Sequence, residues 1–220
     1  MDKKEIQRKR MMSYFIDAAD RIIMEEGISG ITIRKVADYA GYNSATLYNY
    51  FENLDHLIFF AAMRYIKDYA LALPEYIKSA TNALEKFLLI WECFCQYSYK
   101  NPEIYYAIFF AKLDNELEEY ITDYYRLFPE ELGSPTEGLS TMLLKHNIYS
   151  RGETSLDDCV KEGFIREEDK SEFNEFTFLI YESMLSRVIR GRVNYNEAIE
   201  NTMKYINKAT DSYVTKAMNK

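Results

Sequence analysis

The stretch "AGYNSATLYNYF", residues 40–51, decides how the chain folds. Gly41 permits the positive backbone angle of a sharp turn, and Ala37, four residues earlier, is small where one short helix must approach another. Leu47, six residues beyond the glycine, sends a large apolar group back into the hinge. Val36 and Ala40 fill the same corner from the preceding helix. This is the spacing of a helix-turn-helix, in which the second helix lies in a major groove and its early residues meet base edges. With Leu47 and Phe51 turned inward, Asn43, Ser44, Ala45, Thr46, Tyr48 and Asn49 are left facing outward. They are small or neutral hydrogen-bonding groups that suit close approach to bases and phosphate oxygens. Tyr42 and Tyr50 read as packing residues, with Tyr50 beside Phe51 mostly in the core.

Outward from this turn the chain reads as nearly all helix. Prolines stand only at 74, 102, 129 and 135, and apolar residues recur three and four apart between them. The pattern predicts a first helix from near Lys4 to Glu26, ended by Gly27, with Met11 or Met12, Phe15, Ala18 with Ala19, and Ile22 on one side. A second helix is capped by Thr32, a third begins near Asn43, and a fourth runs from Asn53 or Asp55 to about Leu73. Beyond Pro74, helices are expected at 75–98, 103–111, 114–127, 138–149, 155–163, 170–190 and 196–217. The stretch "PEELGSPTEG", 129–138, is expected as a loop.

A chain of 220 residues, 48% hydrophobic, can bury a substantial core. No run of eighteen apolar residues occurs, and the opening MDKKEIQRKR lacks the apolar stretch of a signal peptide, so a cytoplasmic protein without a membrane partner is expected. Cys93, Cys95 and Cys159 form an odd set and are expected as reduced thiols. The net charge of −8 is unevenly spread: residues 1–56 carry eight basic and nine acidic side chains against nineteen and twenty-six in the remainder. Lys3, Lys4, Arg8, Lys9 and Arg10 outnumber Asp2 and Glu5 at the start, an arm that attracts phosphate although the whole molecule repels it. The alternative for this arm, taken alone, is a disordered solubilising tail.

The segment "ITIRKVADYAGYNSATLYNYFENLDHL", residues 31–57, resembles the DNA-binding segment of the TetR family of transcriptional regulators. The Thr-x-Arg-Lys-Val-Ala start, the Ala-Gly turn, the Thr-Leu-Tyr triplet and the Tyr-Phe that follows carry the likeness, which extends from the first helix to the start of the fourth. It implies an all-α chain with a three-helix helix-turn-helix domain at 1–53, followed at 54–220 by a larger helical domain for effector binding and dimerisation. It implies phosphate contacts from Thr32, Thr46 and Tyr48, and base or backbone contacts from Arg34, Asn43, Ser44, Ala45 and Asn49, with Lys35 as the second charged member. The family usually carries a lysine at the start of the fourth helix, and Leu54 stands there.

In the C-terminal part, "IWECFCQYSYKNPEIYYAIFF", 90–110, gathers aromatic rings around a proline break. Rings at helical spacing are core in the first place, but tyrosine hydroxyls require partners when buried. The resemblance implies an effector pocket between helices, and Trp91, Phe94, Tyr97, Tyr105, Phe109, Tyr124 and Tyr125 are its candidates, suited to a planar or apolar molecule. A fourth helix shared by both parts would transmit ligand binding to the reading helices. In the last two helices Phe176, Ile180 and Met184, and Ile199, Ile206 and Tyr213, form apolar stripes. Their plain reading is intrachain packing; the family joins two subunits through a bundle of these helices.

Cys93 and Cys95, two apart on a helix, point to different sides and make a poor zinc site. His56 and His146 are isolated, and no nucleophile, base and orienting acid share a recognisable spacing. No metal, cofactor or catalytic residue is therefore expected. The sequence reads as a homodimeric repressor released from a near-palindromic operator in double-stranded DNA by a small aromatic or apolar effector. The alternative is a TetR-like co-regulator or protein-interaction module with weak or no specific DNA binding; a helical enzyme ranks third.

Overall fold

The computed structural model describes residues 2–110, 117–133, 135–145 and 147–215, and all regular structure among them is helical. The helices are α1 (Lys3–Glu26), α2 (Ile33–Ala40), α3 (Ser44–Leu47), α4 (Leu54–Tyr76), α5 (Ala83–Ser98), α6 (Pro102–Phe109), α7 (Leu117–Leu127), α8 (Glu137–Leu143), α9 (Ile148–Lys161), α10 (Lys170–Ile189) and α11 (Tyr195–Tyr213). The chain divides into two compact units, one of residues 1–67 with 103–133 and the other of 68–102 with 134–220. No helix among the described residues is long and apolar enough to cross a membrane.

The first unit begins with a capping box. The Asp2 side chain accepts from the Glu5 backbone N–H while the Glu5 side chain accepts from that of Asp2, so two of the donors that a helix start leaves orphaned are satisfied reciprocally. Residues 3–10 are thereby the first turns of α1 and not a disordered tail. Met12, Phe15, Ala19 and Ile22 lie fully buried along one face, and Gly27 ends the helix at φ 79°. Asp20 of α1 accepts a 2.7 Å bond from the Tyr65 hydroxyl of α4, and Asp17 pairs with Arg64.

Pro74 does not end α4, which runs on to Tyr76. The proline falls in the last turn, where its ring fixes a helical φ and only one ladder bond is lost. The break follows at a 3-10 turn, Ile77–Ser79, so the helix expected over 75–98 starts instead at Ala83, where Asn82 caps it by accepting from the Glu85 N–H at 2.9 Å. The expected 138–149 helix is likewise divided: α8 stops at Leu143 and α9 starts after Asn147, whose side chain accepts from the Ser150 N–H. A 3-10 turn, Pro129–Glu131, stands in the expected loop. Residues 111–116 and 216–220, within the helices expected to start at 114 and end at 217, and His146, lie outside the described residues.

In the second unit Trp91 and Phe94 of α5 and Tyr99 converge on Tyr181 of α10, with ring centroids 5.6, 5.1 and 5.7 Å away. The Tyr99 hydroxyl and Thr202 Oγ1 of α11 are 2.8 Å apart. Cys93, Cys95 and Cys159 are buried free thiols, and burial pushes Cys93 and Cys159 up to about 12.

Candidate nucleic-acid interface and ligand cavity

The turn between α2 and α3 is set by backbone geometry. Gly41 adopts φ 76°, ψ 26°, its N–H bonds the Asp38 carbonyl and that of Tyr42 bonds the Ala37 carbonyl at 2.9 Å, closing a Schellman motif. A Cβ built on Gly41 meets nothing within 4 Å, so glycine is required there by the backbone angle and not by crowding. Leu47 is wholly buried and Phe51 nearly so. Phe15 of α1 is the hub beneath them, with ring centroids 5.5 Å from Tyr42, 6.0 Å from Tyr50 and 6.2 Å from Phe51.

This core holds α3 with Asn43, Ala45, Tyr48 and Asn49 exposed and Ser44 and Thr46 half-buried. Their hydrogen bonds distinguish their tasks. Asn43 Oδ1 caps α3, accepting from the Thr46 N–H at 2.8 Å and from the Thr46 hydroxyl at 3.1 Å. Asn43 thus has its amide N–H2 to present outward. Thr32 caps α2 by accepting from the Lys35 N–H at 3.2 Å, which leaves its own O–H to donate. Tyr48 is 54% exposed.

The charged members separate too. Arg34 stands out into solvent, with Asp38 4.0 Å away, whereas the Lys35 ammonium lies 2.5 Å from Glu26 of α1. Leu54 occupies the first turn of α4. A groove of about 480 Å³ brings Lys4 and Arg8 of α1 together with Asn49, Tyr50 and Arg126 of α7. The basic arm therefore reaches one end of the α3 face. Arg126, near the end of α7 and 3.1 Å from Asp123, is a cation there that the sequence pattern did not single out, since it lies far outside the motif.

In the second unit Trp91 and Phe94 line a cavity of about 30 Å³ with Tyr69, Ile90, Met142, Ile148, Arg151, Gly152 and Ser155. The other five aromatic candidates are not in its wall. Tyr97 packs half-buried at 6.2 Å from Tyr69. Tyr105, Phe109, Tyr124 and Tyr125 are buried in the first unit, where the Tyr105 hydroxyl donates to the Tyr65 carbonyl at 3.0 Å and that of Tyr124 donates to Glu131. Their density reflects a packed core. Arg151 carried a readable signal: it falls on the apolar stripe Ile148, Gly152, Leu156, Cys159 of α9, where a charged residue is out of place.

Of the stripes on the last two helices, Met184 and Ile206 are buried within the chain, 3% and 0% exposed, and serve intrachain packing. Phe176 is 45% exposed, and Ile180, Ile199 and Tyr213 are half-buried. Leu179 and Tyr205 are further large exposed side chains on these two helices.

Among the described residues all regular structure is helical, with a capped helix-turn-helix in the first unit and a cavity in the second, the fold of helix-turn-helix transcription regulators. Residues 15–59 match the model of the bacterial regulatory proteins of the tetR family. No curated protein matches it. Among solved structures it is similar to Thermus thermophilus FadR, a TetR-family transcriptional repressor in complex with lauroyl-CoA, with 11% identity over 95% of this chain and 98% of that one and a TM-score of 0.61. A TetR-family transcription regulator from Marinobacter aquaeolei is similar over 98% and 100% of the two chains, with 17% identity and a TM-score of 0.53. At these identities the likeness is one of fold.

Proposed function

We propose that the protein is a homodimeric, ligand-responsive repressor that binds a near-palindromic operator through α3 and leaves it when a small molecule occupies the second unit. The observation that carries the DNA-binding part is the exposed, uncharged face of α3 held by the Gly41 turn. Ser44, Ala45 and Asn49 meet base edges there, and Thr32, Thr46 and Tyr48 meet phosphates. A two-fold dimer sets two such faces on two half-sites, with the exposed rims of α10 and α11, Phe176, Leu179 and Tyr205, as its interface. Thermus thermophilus FadR, which is similar in fold, is a transcriptional repressor solved in complex with lauroyl-CoA. Here α4 contributes residues to both units, and a ligand that shifts it changes the separation of the two reading helices. The effect equals the ligand's preference for one state over the other.

Electrostatics set a limit. With Lys35 held by Glu26 and Leu54 at the start of α4, phosphate attraction falls to Arg34, Lys4 and Arg8. Each phosphate neutralised adds about 0.9 to the slope of log affinity against log salt, so a slope below about 8 per dimer is expected. The same two residues favour the second reading, a co-regulator or interaction module with weak DNA binding. Footprinting on selected DNA decides: protection of two half-sites one or more helical turns apart supports the repressor, and no protected site supports the module.

A further inference from the structure

Resting on the reading of the second unit as the effector-binding one, we propose that its cavity takes an amphipathic organic acid, a ring or short hydrocarbon chain bearing one carboxylate, anchored by Arg151. The walls contributed by Tyr69, Ile90, Trp91, Phe94, Met142 and Ile148 are aromatic or aliphatic. Into this wall α9 places a guanidinium whose residue is only 5% exposed. Its Nε donates to the Lys145 carbonyl at 3.0 Å and its Nη2 to the Leu143 carbonyl at 2.8 Å. Leu143 is the last residue of α8, so the cation sits at the negative end of that helix and satisfies its terminal carbonyl.

Neutral carbonyls are weaker acceptors than a carboxylate, which binds a guanidinium through two parallel bonds. An acid entering the cavity takes the guanidinium over; an uncharged molecule of the same shape gains only apolar burial, and a cation is repelled. At about 30 Å³ the cavity has room for water but not for a ring, so one wall must yield. The side of α9 toward α10 is fixed. A Cβ on Gly152 would lie 2.1 Å from Asn174 Oδ1, and Asn174 Nδ2 donates to the Tyr149 carbonyl at 2.9 Å. The yielding side is the short α8 and residues 143–145, which Arg151 itself ties down. Transfer of the guanidinium from these carbonyls to the ligand therefore anchors the acid and loosens α8 in one exchange.

Trp91, the one tryptophan of the sequence, lies in the wall and reports occupancy. The full chain is titrated with 3-phenylpropionate, 4-phenylbutyrate and octanoate, and with the primary amide of each, by Trp91 fluorescence and calorimetry. At least one acid is expected to bind, at least about 10-fold more tightly than its amide, and Arg151→Gln to abolish that preference of acid over amide. Because Arg151 also holds α8, Ser155→Phe, which retains the guanidinium and fills the cavity rim, provides a second arm and should abolish acid binding with the helical circular dichroism unchanged. Equal binding of acid and amide overturns the carboxylate anchor and leaves the effector cavity standing. Acid binding that survives both substitutions overturns this site. Failure of all six compounds to bind overturns both the anchor and the assignment of this cavity to the effector.

Discussion

The α3 face and the Arg151 cavity are opposite solutions to recognition. The face is exposed and almost uncharged, and most of what holds it is local: the Thr32 and Asn43 caps and the Gly41 turn, with the buried Leu47, and with Phe51 packed on Phe15 of α1 as the longer-range support. The cavity is buried and mostly apolar, with Arg151 its one charged lining residue, and its wall comes from α4, α5, α8 and α9, over eighty residues apart at the extremes, Tyr69 and Ser155. A surface that reads an anionic polymer needs little charge of its own when flanking residues supply it. A cavity that selects one small molecule gains most from a single charge in a low-dielectric wall.

The comparison breaks first at the apolar anchors. Leu47→Ala removes a wholly buried side chain and should cost about 2–5 kcal/mol, read as a lowered denaturant midpoint, with DNA binding lost as α3 detaches from Phe15. Gly152→Ala forces a methyl against Asn174 in the second unit and should cost about 1–3 kcal/mol. If DNA affinity without effector falls as far as stability does, the two regions are not separable as described. Gly41→Ala has space but the wrong backbone angle, and should cost about 1–2 kcal/mol; a loss near zero in thermal melting would show that the turn tolerates a side chain.

The smallest effect is electrostatic. A hydrogen bond from Lys86 at 3.1 Å, with Lys161 at 3.3 Å, holds the Asp158 carboxyl below its ordinary value. A folded value below the unfolded one gives stability that is fully present above about pH 4 and is lost as pH falls through the folded value. Asp158→Asn should therefore melt slightly below wild type at pH 7, with the gap closing below pH 4.

The same locality explains what was legible. Caps, turn glycine and the α1 stripe each act over four residues or fewer, so the helix-turn-helix could be read residue by residue. Pro74 misled because a proline in the last turn of a helix looks, in sequence, like one that ends it. The aromatic-rich stretches suggested one pocket, but ring spacing cannot tell which rings face a cavity and which fill a core. Tyr105 and Tyr124 went to the latter in the first unit and Trp91 and Phe94 to the former in the second.

The central claim, that the uncharged face of α3 reads bases, is tested most directly by selecting sites from random double-stranded DNA in parallel with wild type, Ser44→Ala, Asn49→Ala and Tyr48→Phe. Wild type should enrich a near-palindrome. Ser44→Ala and Asn49→Ala should change the preferred base within each half-site, and Tyr48→Phe should weaken binding on all sequences alike. Failure of wild type to enrich any site, or one unchanged site for all four proteins, would contradict it.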